Sequence, residues 1–373
     1  MNSDREELYR ELRSQIGNTP LVVIFGPEGD PRGNTIIAKL ESEAKWGGHY
    51  DRVYPALFRE YEINGRIVPG ETRILENSTG NAGISTAAVG RFLGYNDVHL
   101  TLPAHTDKAR IGAIEEHGGI VHIVPGDYVN AFPEFNKRYL REHRGTVHLN
   151  HSRGHRGGNN ETTLKSLESI ADEAFHQVRD LTPEHPTIDY YVGAVGNGST
   201  VLGPGRKFRE HGTKVYGSEP ASAVLFELLH PGEYERTFGI EYGSMPVHDI
   251  YGMSYPGLDF PHLRNSVDIV EDSILVVDEK ILRQAFRLFF ERSRQRGVTY
   301  GNQMLAISDL PRYDTSHVLN RILERQGYNP VGRSSHVGFA AALTLAGQVR
   351  DSTIMFLCYD QLKRYDAPQQ KAA

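Results

Sequence analysis

The sequence predicts an α/β protein, because short apolar stretches alternate with stretches of helical periodicity along much of the chain. The strands expected in the first half are 72–76, 97–102, 119–124 and 146–149, and the helices are 81–94, 106–117 and 128–142. Strands that alternate with helices run parallel, and the helices cover both faces of their sheet. The length of 373 residues fits two domains or one large α/β unit.

Composition and charge narrow the class of protein. Hydrophobic residues make up 39% and charged residues 24% of the chain, as in ordinary globular proteins. The net charge is −6 with both signs interspersed, which argues against a general nucleic-acid or anionic-membrane surface. The single cysteine, Cys358, excludes an intrachain disulfide and fits a reducing compartment.

The chain carries no targeting or membrane signal that we can identify. Residues 1–15 are densely charged and lack the apolar core of a signal peptide. No apolar run approaches the roughly 20 residues that a membrane-spanning helix needs. We therefore expect a cytoplasmic protein.

A Ser/Thr/Gly loop stands between an expected strand and an expected helix, with the sequence ENSTGNAG at 76–83. Hydroxyls at the start of a helix cap it, and its free N–H groups favour an anion. Many α/β proteins place such a loop there for capping alone. The candidate ligand-binding residues are Ser78, Thr79, Gly80 and Asn81.

A second glycine-containing loop, GNGST at 196–200, follows the apolar strand expected at 188–194. It opens a helix that should extend to Phe208. Small residues and hydroxyls at a helix N-terminus form a cradle for a phosphate dianion. The candidate residues are Gly196, Asn197, Gly198, Ser199 and Thr200.

Several motifs together resemble the fold type II pyridoxal-phosphate (PLP) enzymes, the cysteine synthase and threonine synthase relatives. They are IGNTPL at 16–21, KLE at 39–41, STGNAG at 78–83, the loop at 196–200 and GSEP at 217–220. The resemblance covers about residues 16–365. It implies two domains, each a mostly parallel sheet flanked by helices, and it implies PLP as cofactor, a small amino-acid-like substrate and a homodimer.

The resemblance also implies domain boundaries and residue roles. Residues 1–45 and 151–365 would form a large domain, 46–150 a small mobile domain, and 366–373 a tail. Ser78, Thr79, Gly80 and Asn81 would bind the substrate carboxylate, and Asn81 would also contact the phenolic oxygen of PLP. The loop 196–200 would bind the PLP phosphate.

Three positions depart from the family pattern. The family's Schiff-base lysine aligns with Tyr50, in a register fixed by KLE upstream and by RIVPG at 66–70 downstream without a gap. The serine at the pyridine nitrogen aligns with Gln361, whose amide can hydrogen-bond a neutral pyridine nitrogen. A glycine at a helix start is replaced by His336.

The loss of the lysine leaves three explanations. An enzyme of the β-elimination or β-replacement type holds PLP or another phosphorylated ligand non-covalently, with Tyr50 as its acid or base. Alternatively, a displaced lysine such as Lys45 forms the Schiff base. In the third explanation, the protein is a non-catalytic relative that binds a small anion or a partner.

Two further segments differ from the family pattern. The polar loop 150–163 contains His151, Arg153, His155 and Arg156, which indicate either a solvated linker or a cationic lid over an anionic substrate. Its spacing does not favour zinc, and we predict no metal site. The insertion 299–330, with a helix expected at 316–326, is long enough to be functional or oligomeric.

Two elements are expected between the second glycine loop and the insertion. They are a strand at 267–270 and an amphipathic helix at 278–292 that begins with an aspartate cap.

Overall fold

The computed structural model describes residues 2–30, 32–126, 130–153, 160–220, 222–238, 241–243, 250, 252–255, 257–258, 260–276, 298–300, 303–305 and 316–366. The helices are α1 (Ser3–Ser14), α2 (Val53–Ile63), α3 (Asn81–Phe92), α4 (Lys108–Glu116), α5 (Ala131–Glu142), α6 (Glu161–Leu181), α7 (Ser199–Glu210), α8 (Val224–Leu229), α9 (Glu233–Phe238), α10 (Pro261–Arg264), α11 (Ser316–Arg325) and α12 (Arg333–Ala346). The strands are β1 (Leu21–Phe25), β2 (Thr35–Leu40), β3 (Ile74–Asn77), β4 (Val98–Pro103), β5 (Ile120–Val124), β6 (Val147–His148), β7 (Tyr190–Ala194), β8 (Lys214–Pro220), β9 (Asp272–Val276), β10 (Val298–Tyr300), β11 (Gln303–Leu305) and β12 (Thr353–Cys358).

The chain divides into two compact units. Unit 1 contains residues 1–18, 41–166 and 360–373, and unit 2 contains residues 19–40 and 167–359. The predicted domains, with 1–45 and 151–365 in a large domain, 46–150 in a small mobile domain and 366–373 as a tail, stay a prediction. Ion pairs hold the N-terminal helix within unit 1: Arg5 donates to Glu62, and Arg59 donates to Glu6 at 2.9 Å.

The sheet of unit 1 has the strand order β5-β4-β3-β6, and all its pairings are parallel. Strands β3 and β4 are almost wholly buried, as continuous apolar runs in a parallel sheet should be. Helix α3 follows β3 directly and is buried from Ala82 to Gly90. The loop that joins β3 to α3 is therefore held between two buried elements.

The larger sheet, in unit 2, has the order β1-β2-β12-β7-β8-β9. Only the β1–β2 pairing in it is antiparallel. Strands β2 and β12 are buried at every residue. The two sheets with their flanking helices confirm the predicted α/β class.

The expected strands and helices between 72 and 149 are confirmed, with their ends shifted by up to three residues. The expected strand at 267–270 is wrong. Val267–Ile269 is a 3-10 turn, and the strand that pairs with β8 is Asp272–Val276, five residues further on. The expected helix at 278–292 lies outside the described residues.

The inserted segment contributes α11, as expected at 316–326, and the hairpin β10–β11. Leu319 and Leu323 of α11 are fully buried. The Gln326 side chain donates to the Val23 carbonyl of β1 at 2.8 Å. This helix is therefore packed into unit 2.

None of the helices in the described part of the chain has the length and apolar character to cross a membrane.

Candidate active site

Ser78 organises the loop between β3 and α3. Its Oγ accepts hydrogen bonds from the Gly80 and Gly83 amides at 2.8 and 2.7 Å. Gly80 has φ +132°, and a Cβ there would lie 2.4 Å from the Arg110 side chain. Of the two hydroxyl residues expected to cap α3, Ser78 does so, two positions before the cap residue Gly80.

Asn81 is bonded at both ends of its amide within unit 1. Its Nδ2 donates to Asp360 Oδ2 at 2.7 Å, and its Oδ1 accepts from Arg364 at 2.9 Å. Arg110 donates to the Thr79 carbonyl at 2.7 Å and to Asp360 at 3.3 Å. A ligand that binds the Asn81 amide must therefore displace these partners. The cofactor-binding role of Asn81 stays a prediction.

Gln361 lies beside the segment 41–52, which carries Tyr50. Its Nε2 donates to the Ser42 carbonyl at 3.0 Å, and the residue is 9% exposed. The amide donor is thus bonded to the backbone of unit 1. The predicted contact with a pyridine nitrogen stays a prediction.

Tyr50 occupies the middle of a 3-10 turn, His49–Asp51, and is half-buried. Its ring lies 4.1 Å from the His49 ring and 5.1 Å from the His151 ring, the latter edge to face. The Tyr54 ring is 6.2 Å away. Tyr50, which the resemblance aligns with the family's lysine, therefore has the rings of His49, His151 and Tyr54 as neighbours.

The two residues after Tyr50 anchor the turn. Asp51 accepts from the Trp46 amide at 2.7 Å and from Ser85 Oγ at 2.6 Å. Arg52 is bonded to Glu41 through two nitrogens, at 2.7 and 2.9 Å. These contacts fix the backbone on which Tyr50 is placed.

Lys45 has a different environment. It is exposed, its Nζ donates to Gln15 Oε1, and it lies 5.4 Å from the centre of the Trp46 ring. Its ammonium group is thus at the surface of unit 1.

Burial raises the pKa of Asp51 to about 6, although the hydrogen bonds from Ser85 and Trp46 oppose the shift. A carboxyl whose pKa is raised by folding contributes stability that is present below its ordinary pKa, 3.8, and is lost as the pH rises through about 6. We therefore expect Asp51→Asn, which cannot ionise, to lack this dependence.

The measurement is urea unfolding of both proteins across this range. The stability of the natural protein relative to Asp51→Asn should fall by about 3 kcal/mol between about pH 4 and pH 7. A constant difference over that range would show that Asp51 is not perturbed.

Glu76, at the end of β3, is a buried carboxylate with two histidines beside it. Its Oε1 lies 3.5 Å from His148 Nε2 and 3.4 Å from His151 Nδ1, and its Oε2 accepts from the His151 amide at 3.1 Å. Burial acts to raise the pKa of Glu76, but the charge and hydrogen bonds of the histidines outweigh it and hold that pKa well below its usual range. The carboxylate is therefore ionised at any ordinary pH.

The loop of unit 2 that follows β7 has the features of a phosphate cradle. The Ser199 hydroxyl is buried and has no hydrogen-bond partner among the described residues. Ser199 is the first residue of α7, a 12-residue helix, and the preceding Gly198 has φ +88°. Asn197 Oδ1 accepts from the Ser199 amide at 2.9 Å, so an amide oxygen occupies a position that suits an anion.

Two contacts hold this loop close to its surroundings. A Cβ on Gly196 would lie 2.1 Å from the Gly252 carbonyl oxygen. Thr200 Oγ1 donates to the Ala194 carbonyl at 2.8 Å, so its hydroxyl faces the strand that precedes the loop.

Sequence reasoning missed several partners of the predicted residues. Asp360 and Arg364 belong to the stretch in which we singled out Gln361 alone, and their charges were a usable signal. Arg110 lies on α4, and nothing in its local sequence pointed to the loop at 78–81. Of the histidine-rich loop, His151 is buried, and His155 and Arg156 lie outside the described residues.

His336, which replaces the family's glycine, is 3% exposed in the first turn of α12. Its Nε2 lies 3.5 Å from Asn320 Oδ1 of the inserted helix α11. The described residues contain no cluster of three or more groups suited to a metal.

The chain matches the model of the pyridoxal-phosphate-dependent enzyme family over residues 12–307, well over half of its length. It therefore belongs to that family, whose cofactor is PLP.

Relatives within the family include cysteine synthases. Cysteine synthase 1 of Neurospora crassa is 24% identical over 316 residues, which are 83% of this chain and 78% of that protein. Among solved structures, a hydrogen sulfide-producing enzyme of Fusobacterium nucleatum has a TM-score of 0.70 at 22% identity and covers 94% of this chain and 96% of its own. A lysine-to-alanine variant of O-ureido-L-serine synthase, with O-ureido-L-serine bound, has a TM-score of 0.68 at 21% identity and covers 95% and 90%.

The residues present fit one half of the PLP cofactor. The buried Ser199 hydroxyl, the start of α7 and the closely packed Gly196 suit its phosphate. Tyr50, which the resemblance aligns with the Schiff-base lysine, carries a phenol, and a phenol cannot form an imine.

Proposed function

We propose that this protein is a divergent cysteine synthase-like enzyme that acts on an amino acid by β-elimination or β-replacement. It holds PLP through the phosphate and without a lysine bond. The carrying observation is the buried Ser199 hydroxyl at the N-terminus of α7, a polar group whose burial costs free energy unless a ligand satisfies it.

The residues have distinct tasks in this proposal. PLP, when bound, supplies an electron sink for charge that develops on the amino acid. Ser199 and the amides of the loop 196–200 hold the phosphate, and the Ser78–Asn81 loop binds the substrate carboxylate. Tyr50 moves the proton that the family's lysine carries, which requires a neighbour that helps its phenol to ionise near neutral pH.

The displaced-lysine alternative has less support. Lys45 is exposed and bonded to Gln15, whereas lysines that act as nucleophiles or bases depend on desolvation or a neighbouring cation to lower their pKa. The O-ureido-L-serine synthase variant described above binds an amino acid although a lysine has been replaced in it. By analogy, an amino acid can bind here without the lysine.

A second candidate function is binding without catalysis. The observation that favours it is the network around Asn81, whose amide is bonded to Asp360 and Arg364 at the place where substrate would dock. In that case a small anion would bind and be released unchanged.

We further propose a cytoplasmic homodimer in which the segment 46–150 moves on ligand binding, as the resemblance implies.

The proposal predicts that the purified protein binds PLP and that Gly196→Ala weakens the binding at least about tenfold, because the new methyl group displaces the loop from the Gly252 carbonyl. Binding is measured by equilibrium dialysis and by the PLP absorption spectrum, which should show the free aldehyde. Gly112→Ala is the matched control, since a Cβ there meets nothing within 4 Å.

The enzyme proposal predicts that the natural protein converts O-acyl serine with sulfide and that Gly196→Ala does not. This result would distinguish an enzyme from a protein that only binds its ligand. If neither PLP nor another phosphorylated ligand binds at micromolar concentration, the proposed function is wrong. PLP binding without turnover of any amino acid supports the second candidate.

A further inference from the structure

His151 is a buried residue beside Tyr50 that the proposed mechanism leaves unused. It is 6% exposed, and its ring contacts the Tyr50 ring edge to face at 5.1 Å. Offset and edge-to-face ring pairs at this separation are direct packing contacts. An imidazole is also the side chain best suited to accept a proton near neutral pH.

Glu76 is a second neighbour of that imidazole. Its carboxylate is 3.4 Å from His151 Nδ1 and is buried to 1% exposure. A second contact, from the His151 amide to Glu76 Oε2 at 3.1 Å, holds the backbone of His151 against the same carboxylate. The Thr163 hydroxyl donates to the His151 carbonyl at 3.0 Å and fixes the segment from the other end.

A buried carboxylate at one ring nitrogen determines what the other nitrogen can do. If Nδ1–H faces Glu76, Nε2 is left as the proton acceptor, and the carboxylate stabilises the imidazolium that forms. His151 Nε2 points away from Glu76, to the Ser152 hydroxyl at 3.2 Å. The competing arrangement has the Tyr54 hydroxyl, 3.1 Å from Nδ1, donating to that nitrogen and the proton on Nε2.

We propose that His151, oriented by Glu76, is a positioning residue that accepts the phenolic proton of Tyr50, so that a Tyr50–His151–Glu76 relay replaces the lysine as proton carrier. The O–H bond of Tyr50 breaks and an N–H bond forms at His151 Nε2. The products are a phenolate and an imidazolium, whose charge the ionised Glu76 offsets. No oxidant, reductant or further reactant is needed.

This inference rests on the proposed role of Tyr50, but the relay is a property of unit 1 alone. The hydroxyl of Tyr50 must reach Nε2, and such contacts are commonly long before a ligand binds and tighten afterwards. The titratable side chains around the pair are His49 on the turn itself, Tyr54 on α2, Glu76 on β3 and His148 on β6.

The first test reads the tautomer of His151 by nitrogen-15 NMR of the full chain, with the signal assigned from His151→Gln. The relay requires a proton on Nδ1 and a basic Nε2 when the ring is neutral. A neutral ring with its proton on Nε2 would overturn the proposal, because Tyr54 then holds Nδ1 and Nε2 has no capacity to accept.

The second test follows the Tyr50 phenol with carbon-13-labelled tyrosine, assigned from Tyr50→Phe. We expect the phenol to titrate at least about one pH unit higher in His151→Gln than in the natural protein, because the variant removes the imidazole that takes up the phenolic proton. His148→Gln is the matched control, since it removes the other histidine on Glu76 and should leave the Tyr50 titration in place. An unchanged titration in His151→Gln contradicts the relay.

Both measurements are made without PLP, so the relay and the proposed function can fail separately. If the Tyr50 titration depends on His151 in a protein that binds no PLP, the relay is supported and the enzyme proposal is contradicted. If the protein turns over and the pH profile of kcat in His151→Gln matches that of wild type, the enzyme proposal stands and the relay is wrong.

Discussion

Replacing Arg52 by methionine should cost about 3–5 kcal/mol of stability, the largest loss we expect from any single substitution in unit 1. Arg52 and Glu41 are joined by two hydrogen bonds at 2.7 and 2.9 Å, and their side chains are 4% and 0% exposed. The variant removes the guanidinium that forms both of these hydrogen bonds with the buried Glu41 carboxylate, and breaking a buried ion pair by removing one member is far more costly than losing a surface contact.

The control that isolates this effect is the double variant Glu41→Met/Arg52→Met. Two apolar side chains of similar volume restore a neutral interior, so the double variant should be more stable than Arg52→Met alone. Arg209→Met provides the surface comparison, because the Arg209–Glu271 pair is 42% and 38% exposed, and it should lose at most about 1 kcal/mol.

Urea unfolding monitored by far-ultraviolet circular dichroism gives all three values. If Arg52→Met were no less stable than Arg209→Met, the pair would be a contact without consequence for folding. The Glu41–Arg52 pair also bears on the candidate site, since the two residues lie at the two ends of the segment that carries Tyr50.

The regular elements could be predicted because their signals are local. The strands β3 and β4 are continuous apolar runs bounded by turn residues, and α3 begins after a hydroxyl and a glycine. The strand expected at 267–270 is wrong because strand pairing is not a local signal. Its four residues carry an apolar pattern, but pairing with β8 selects Asp272–Val276 instead.

The positions of the two candidate loops follow from the sequence, whereas the hydrogen-bond partners of their residues do not. Ser78 and Ser199 could be found from glycines and hydroxyls at helix starts. The bonds from Asn81 to Asp360 and Arg364 join residues more than 270 positions apart, and no local pattern carries such a pairing. The pairing of Glu76 with His151 crosses 75 positions and depends on β3 and β6 being neighbours in the sheet.

Tyr50→Lys, which places a lysine at the position that the resemblance assigns to the Schiff base, should convert the proposed non-covalent PLP binding into covalent binding. We expect borohydride reduction to leave about one PLP per chain on the variant and none at that position on the natural protein, because an amine forms an imine and a phenol does not. The rings of His49 and His151 lie beside position 50, and partial burial or a nearby cation lowers the pKa of a lysine amine and favours its reactive form.

The readout is a mass spectrum of the reduced, digested protein, which assigns the adduct to a residue, together with the visible absorption of the imine. Tyr50→Phe is the matched control and should show neither. Lys45→Arg in the natural background tests the displaced lysine, since an adduct that appears on wild type and vanishes in this variant would move the chemistry to Lys45. An adduct found only at position 50 of Tyr50→Lys would instead show that Tyr50 occupies the position of the family's lysine. It would also show that one substitution is enough to restore the imine.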